Sequence, residues 1–334
     1  MSVEIKTATI EPLRLTFDHL EARIGKGKAA TRYQEAVHDF QATHNFHYRP
    51  TWEPGLELFD KRRTAIQLED FDQLLDPRQY YYAPYTLQRA RQQEAQDNNF
   101  GMVEKRNLLG LLAPEWHANI ARLIVPLRHL EWGANTNNCY LAAYAYGAPF
   151  SSAALMQAMD RLGVAQYLTR LALVLDGGAQ ILDRAKATWL NDPDWQPMRH
   201  LIEDAMVTKD WFELHVLQNL LIDGAVYPYA YIHVDQTIAA PGGIGYALAT
   251  EFMREWYGES TRWTDATIKV AANASPHNKA LLNTWVAAWE PRVREALAPL
   301  ARAAFGTDTG RITDSIFGDL AARRVKIGLM GYAP

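Results

Sequence analysis

The sequence predicts a mostly α-helical protein, on three observations. From about Pro84 to Leu300 the apolar residues recur at helical spacing, in segments rich in strong helix formers. Several of these segments are bounded by residues that start or stop helices. No run of alternating strand residues, no Asn-Gly hairpin and no fixed-period repeat interrupts them.

In chain order, residues 1–83 read as an N-terminal arm. Helix-like pieces at 12–24 and 31–43 alternate with Pro-, Gly- and aromatic-rich connectors. "HYRPTWEPG" reads as extended chain, because a residue before Pro avoids the helical region. Such an arm has few ways to bury itself alone and is expected to lie across a larger body, its own or a partner's. Residues 84–334 read as the helical domain. "YTLQRARQQEAQDNNFGMVEKRNLLGLL" (85–112) is rich in Gln, Glu, Arg and Leu, and Pro114 stands at a first helical position. The segment 151–178 opens with serines suited to capping and closes at a Gly pair, and 199–224 also stops at Gly. Residues 250–273 and 278–305 continue the pattern.

Composition excludes several classes of function. The chain is 48% hydrophobic and 22% charged with a net charge of -4, and has no basic block to attract nucleic acid or an anionic membrane. The lone Cys139 rules out an intrachain disulfide and suits a reducing cytosol. The first residues lack the apolar core of a signal peptide. Trp132 to Met159 carries no formal charge and imitates a membrane span. It also holds several Asn, Ser and Gln and is broken by Gly147 and Pro149, so a helix and turn buried on all sides is expected instead. The 10 Trp and 16 Tyr are a heavy aromatic load. Phe46, Tyr48, Arg49, Trp52, Tyr80, Tyr81 and Tyr82, in "NFHYRPTWEPG" and "DPRQYYYAPY", are candidates for a protein interface.

One carboxylate stands out. In "PLRHLEWGANTNNCYLAAYAYGAPF" (126–150), Glu131 shares a helix face with Ile120, Leu127, Ala134 and Asn138, so it points inward. A buried carboxylate needs a partner; Arg128, Asn135 and Asn138 are candidates. Glu213 behaves likewise, on a face with Val216, Leu217, Leu220 and Gly224. Ferritin-like di-iron proteins draw their ligands from bundle glutamates and Glu-x-x-His pairs. Here Ala134 and Val216 stand three residues after the two glutamates, and neither binds iron. The literal Glu-x-x-His, Glu35 to His38, lies in the arm near His44 and His47, where a surface metal site is an alternative. "GGIG" (242–245) reads as a loop without a nucleotide-binding context. Cys139 has no local histidine to make it a thiolate.

The stretches "RYQEA", "NFHYRP", "DPRQYYY", "PLRHLEWGANTNN", "QAMDRLGVAQYLTRLALVLDGG", "DWFELHVLQNLLIDG" and "EFMREWYGESTRW" together resemble the β subunits of the hydroxylase component of bacterial multicomponent monooxygenases, most closely those of phenol hydroxylases. The resemblance implies a ferritin-like helical fold with additional helices and an extended N-terminal arm. It implies a non-catalytic chain with no metal or cofactor, beside an α subunit that carries the di-iron centre. It further implies a γ subunit in an (αβγ)2 assembly, a small regulatory protein, and an NADH-dependent reductase with FAD and an iron–sulfur cluster. The reaction of the complex would convert phenols to catechols in the cytoplasm. The alternatives are a toluene-type β subunit, a self-sufficient helical metalloprotein using Glu35, His38, His44 and His47, and a free-standing helical interaction protein.

Overall fold

The computed structural model describes residues 18–42, 49–238 and 242–331, and every regular element among them is helical. The long helices are α1 (Tyr82–Lys105), α2 (Leu127–Tyr144), α3 (Ala148–Asp176), α4 (Gln180–Asn191) and α5 (Gln196–Met206). A composite rod, α6, begins with Trp211–His215 and runs on through π-helical Val216–Ile222, α-helical Asp223–Pro228, π-helical Tyr229–His233 and Val234–Thr237. It is followed by α7 (Glu251–Ala274), α8 (Pro276–Phe305) and α9 (Thr309–Lys326). A further π-helical turn, Ile120–Ile124, precedes α2.

Helices α2, α3, α6 and α7 form a ferritin-like core, tied by buried polar contacts. Asn137 of α2 donates to Gln218 of α6 at 2.8 Å, Gln157 of α3 donates to Ser260 of α7 at 2.6 Å, and His215 of α6 meets Thr267 of α7 at 2.9 Å. Around these contacts lies one large apolar core that includes Trp195, Trp211, Trp256, Trp263 and Phe150, all buried. Helix α8 covers the far side of α6, with Trp289 donating to Glu213 at 2.7 Å.

Several boundaries differ from the sequence expectation, each for a local reason. The start of α3 lies at Ala148, and the serines at 151 and 152 are inside the helix rather than capping it. Gly147 adopts φ +104°, and a Cβ there would come within 2.9 Å of the Phe71 carbonyl oxygen, so only glycine fits the entry. The expected end at Gly177 holds, with φ +69°. The expected 199–224 helix is two: α5 stops at Met206, and Asp210 restarts the chain by accepting from the amides of Phe212 and Glu213 at 2.9 and 3.1 Å. Gly224 then stops nothing, because it lies inside the rod. "GGIG" is not a loop but the start of a helix, Gly242–Ala249; Gly242 seats that helix against the backbone of Leu112, where a Cβ would meet the Cα at 2.8 Å.

The uncharged run is also corrected. Its two helices are buried on one side only, and Trp132, Leu155 and Met159 remain 59%, 50% and 43% exposed along the outer side of the α2–α3 pair. No helix among the described residues is long and apolar enough to cross a membrane. In the N-terminal region, the α-helices among the described residues are Glu21–Ile24 and Arg32–Val37, the second opened by a capping box between Thr31 and Gln34; the rest of the expected 12–24 piece before Asp18 lies outside the described residues. Residues 49–81 form turns that lie over the chain's own helices. Ala65 donates to Asp210 at 2.6 Å, Gln67 exchanges two hydrogen bonds with Asn278, and Ile66, Phe71 and Leu74 enter the core.

Candidate functional site: a guanidinium at the centre of the bundle

Arg161 lies on the inner stripe of α3 with Gln157, Val164 and Leu168, all buried. Its guanidinium is fully enclosed between two carboxylates from other helices. It donates to Glu131 of α2 at 3.2 Å and makes a short contact with Asp223 of α6. It also donates to the Tyr227 hydroxyl at 3.2 Å and to the Asn219 side-chain oxygen at 3.3 Å, while Tyr227 donates to Glu131 at 2.8 Å. The faces of Trp256 and Tyr227 stack against the guanidinium, centroids 4.6 and 5.6 Å away. Planar, delocalised charge suits such a site in a way a lysine ammonium does not.

A polar lattice holds these groups. Gln218 donates to Asp223 at 3.0 Å, the Asn138 and Asn219 amides are paired at 3.1 and 3.3 Å, and Asn219 meets His215 at 3.0 Å. The π-helical turn Val216–Ile222 sets the rotation that brings Gln218, Asn219 and Asp223 to one side; such insertions frequently mark functional sites. A second network sits beside the first. Asp160 takes Arg89 of α1 in a two-pronged pair at 2.7 and 2.8 Å, with Tyr85 and the Trp256 indole donating to it.

The charges do not cancel: one guanidinium faces two carboxylates. Burial therefore pushes the Glu131 carboxyl up to about 7 and raises Asp223, while Arg161 opposes both shifts; the carboxylates hold Arg161 above its ordinary value against its own burial. Between 4.5, the ordinary value, and about 7, the native chain holds a proton on Glu131 that an unfolded chain has lost. The resulting stability is complete below 4.5 and disappears as pH rises through 7. Glu131→Gln should accordingly remove about 2–3 kcal/mol of the stability difference between roughly pH 5 and pH 9. Urea unfolding of the two proteins at both pH values checks this; parallel pH profiles would contradict it.

The sequence-derived candidates are distributed as follows. Ala134 and Val216 are both buried. Glu213 does not share Glu131's surroundings: it is half-buried beside Trp289, its carboxyl raised by partial burial. The candidate partners adjacent in sequence do not hold Glu131. Asn135 donates to the Ala158 carbonyl and Asn138 to the Ala134 carbonyl, whereas Arg161 and Tyr227 hold the carboxylate. Glu35 pairs with Arg32, and His38 turns the other way, its Nδ1 3.9 Å from Asp72. His44, His47, Phe46 and Tyr48 lie outside the described residues. Among the described residues no three His, Cys, Asp or Glu side chains gather as a metal-ligand group. Cys139 is exposed with its thiol raised, which disfavours the thiolate. Of the remaining interface candidates, Tyr82 and Trp52 are 78% and 67% exposed and Arg49 pairs with Glu57. Tyr81 is half-buried, and Tyr80 is turned inward to donate to Glu259.

A ferritin-like bundle with a buried guanidinium held between carboxylates of two other helices defines a class: a helical subunit related to di-iron oxygenases. The family comparison agrees, since residues 52–275 match the methane/phenol/alkene hydroxylase model, and the chain belongs to that family. It is 48% identical to the phenol 2-monooxygenase oxygenase component DmpL of Pseudomonas sp. strain CF600, over 98% of each chain. It is 41% identical to the corresponding component MhpL of Acinetobacter pittii strain PHEA-2, again over 98% of each. The toluene-4-monooxygenase hydroxylase subunit beta of Ectopseudomonas mendocina is more distant, at 22% identity over 69% of this chain and 71% of that one. Among solved structures, phenol hydroxylase from Pseudomonas sp. OX1 superposes with a TM-score of 0.90 at 47% identity, covering 99% of this chain and 100% of that one.

Hydroxylases of this family use a di-iron centre. The core residues of this chain do not fit one. The inward carboxylates Glu131 and Asp223 are already engaged by Arg161, and Ala134 and Val216 offer no donor atom.

Proposed function

We propose that this chain is the non-catalytic, architectural β subunit of an O2- and NADH-dependent phenol hydroxylase that converts phenols to catechols. The observation that carries the reading is the Arg161 guanidinium, which engages both core carboxylates where an iron-bearing bundle would need open ligands. In this reading the di-iron centre and the substrate pocket belong to the α subunit, with γ completing an (αβγ)2 assembly. A small regulatory protein and a reductase carrying FAD and an iron–sulfur cluster complete the system in the cytoplasm. In this reading the segment set off by sequence as residues 1–83, whose last two residues already belong to α1, makes contacts with the other subunits, and residues 84–334 supply the helical domain. Exposed Trp52, Tyr82, Trp132, Leu155 and Met159 support a chain built to be covered by others. The higher identity to phenol than to toluene relatives favours the phenol-type complex.

Co-purification from the native host tests the proposal. A di-iron subunit is expected to accompany this chain in equal amount, with essentially all iron remaining with that subunit after separation. Two irons per copy of this chain alone would overturn it.

A further inference from the structure

A small charged recess of about 340 Å3 lies where residues 18–42 meet the body of the chain. Arg23 and Asp39 enter it from that segment, and Glu69, Asp70 and Asp72 from the other side. Arg23 pairs with Asp39 at 2.6 Å and with Asp72 at 3.4 Å, and it also reaches Asp70. The Asp39 amide donates to Asp72 at 2.9 Å, and the Gln41 side chain accepts from the amide of Gly147 at 2.7 Å, at the entry to α3. These contacts hold Asp39 at φ +58°, a left-handed conformation uncommon outside glycine.

The charges in the recess are out of balance. Asp39, Asp70 and Asp72 share the guanidinium of Arg23, and Glu69 adds a fourth carboxylate, while exposed Lys61 lies over the Tyr146 ring. Burial raises the Asp72 carboxyl above its ordinary value, a shift that Arg23 opposes. His38 stands one residue before Asp39 with its ring buried. Its Nδ1 has no hydrogen-bond partner and lies 3.9 Å from the Asp72 carboxylate, just beyond hydrogen-bond reach. Histidine is the side chain whose charge ordinarily changes between roughly pH 5 and 8. A protonated ring here sets a second buried cation against the surplus of carboxylates. His19 is the other imidazole within the field of Asp39.

We propose that the His38–Asp72 contact is a pH-sensitive clasp: proton uptake by the imidazole closes it as an ion pair and tightens residues 18–42 on the body, and proton loss relaxes them. The clasp stands on contacts within this chain alone and does not depend on the subunit reading. It governs how firmly the segment assigned to subunit contacts is held.

Hydrogen exchange of the purified full-length protein, read by mass spectrometry over peptides from residues 18–42 at pH 6 and pH 8, tests the clasp. After correction for intrinsic exchange, these amides should exchange about fivefold more slowly at pH 6, the upper end of what one ion pair near a surface contributes. Peptides from α7 report the global pH dependence carried by Glu131 and serve as the reference. His38→Asn should keep the rate seen at pH 8 and lose the slowing. Asp72→Asn should also lose it and exchange faster at both pH values, because Arg23 and the Asp39 amide lose a charged acceptor. His19→Asn should leave the wild-type response intact. Equal rates at the two pH values in wild type would overturn the proposal, as would a slowing no larger than that of α7. So would a response that survives His38→Asn or vanishes in His19→Asn.

Discussion

Arg161→Met is expected to lower the unfolding free energy by roughly 3–5 kcal/mol, the usual consequence of stripping one member from a buried ion pair. The side chain removed is fully buried, and the change abandons Glu131 and Asp223 in the core with no cation between them. Loss of the Trp256 and Tyr227 stacking adds to the effect. The urea midpoint at constant slope is the measurement. A loss below about 1 kcal/mol would mean that the carboxylates have protonated and repacked at little cost. Replacing all three charged groups together should recover much of the deficit, because a buried ionic group exchanged for well-packed neutral side chains is often neutral in stability.

A comparable loss, about 3–5 kcal/mol, is expected for Phe150→Ala. Phe150 is fully buried in the first turn of α3, and its ring meets those of Trp211, His215 and Trp263 at centroid distances of 4.8, 4.9 and 5.3 Å. The cavity would open at the start of both α3 and α6, where rigid neighbouring rings cannot collapse into it. Denaturant unfolding measures the loss, and a second substitution makes the contrast. Trp132→Ala removes a larger ring that is 59% exposed, so it should leave the stability of the chain within about 0.5 kcal/mol. Equal effects at the two positions would refute the assignment of Phe150 to the core and Trp132 to the surface.

Much of the architecture is legible in residue spacing. Helical periodicity marks α1, α3, α7 and α8, and Gly177 ends α3 where its left-handed conformation is needed. The failures have a common cause. Gly224 resembles a stop and the "GGIG" glycines a loop, but in the fold they let helices approach Leu320 and the backbone of Leu112. Ser151 resembles a cap, yet Gly147 fixes the entry earlier because Phe71, far away in sequence, closes over it. Tyr80 and Tyr82 look equivalent in "QYYYAPY", and only the packing of α1 on α3 and α7 turns the first inward.

The sequence by itself determined the helical class, the inward direction of Glu131 and the absence of imidazole at Ala134 and Val216, since each depends only on local periodicity and residue type. The tertiary structure decided what Glu131 binds. Arg161, Asp223 and Tyr227 converge from helices distant in sequence, and π-helical turns in α6 set the rotation that aims them. Such a rotation depends on how whole helices pack against one another. Nearby Arg128, Asn135 and Asn138, the natural guesses from sequence, therefore leave the carboxylate to a guanidinium 30 positions away.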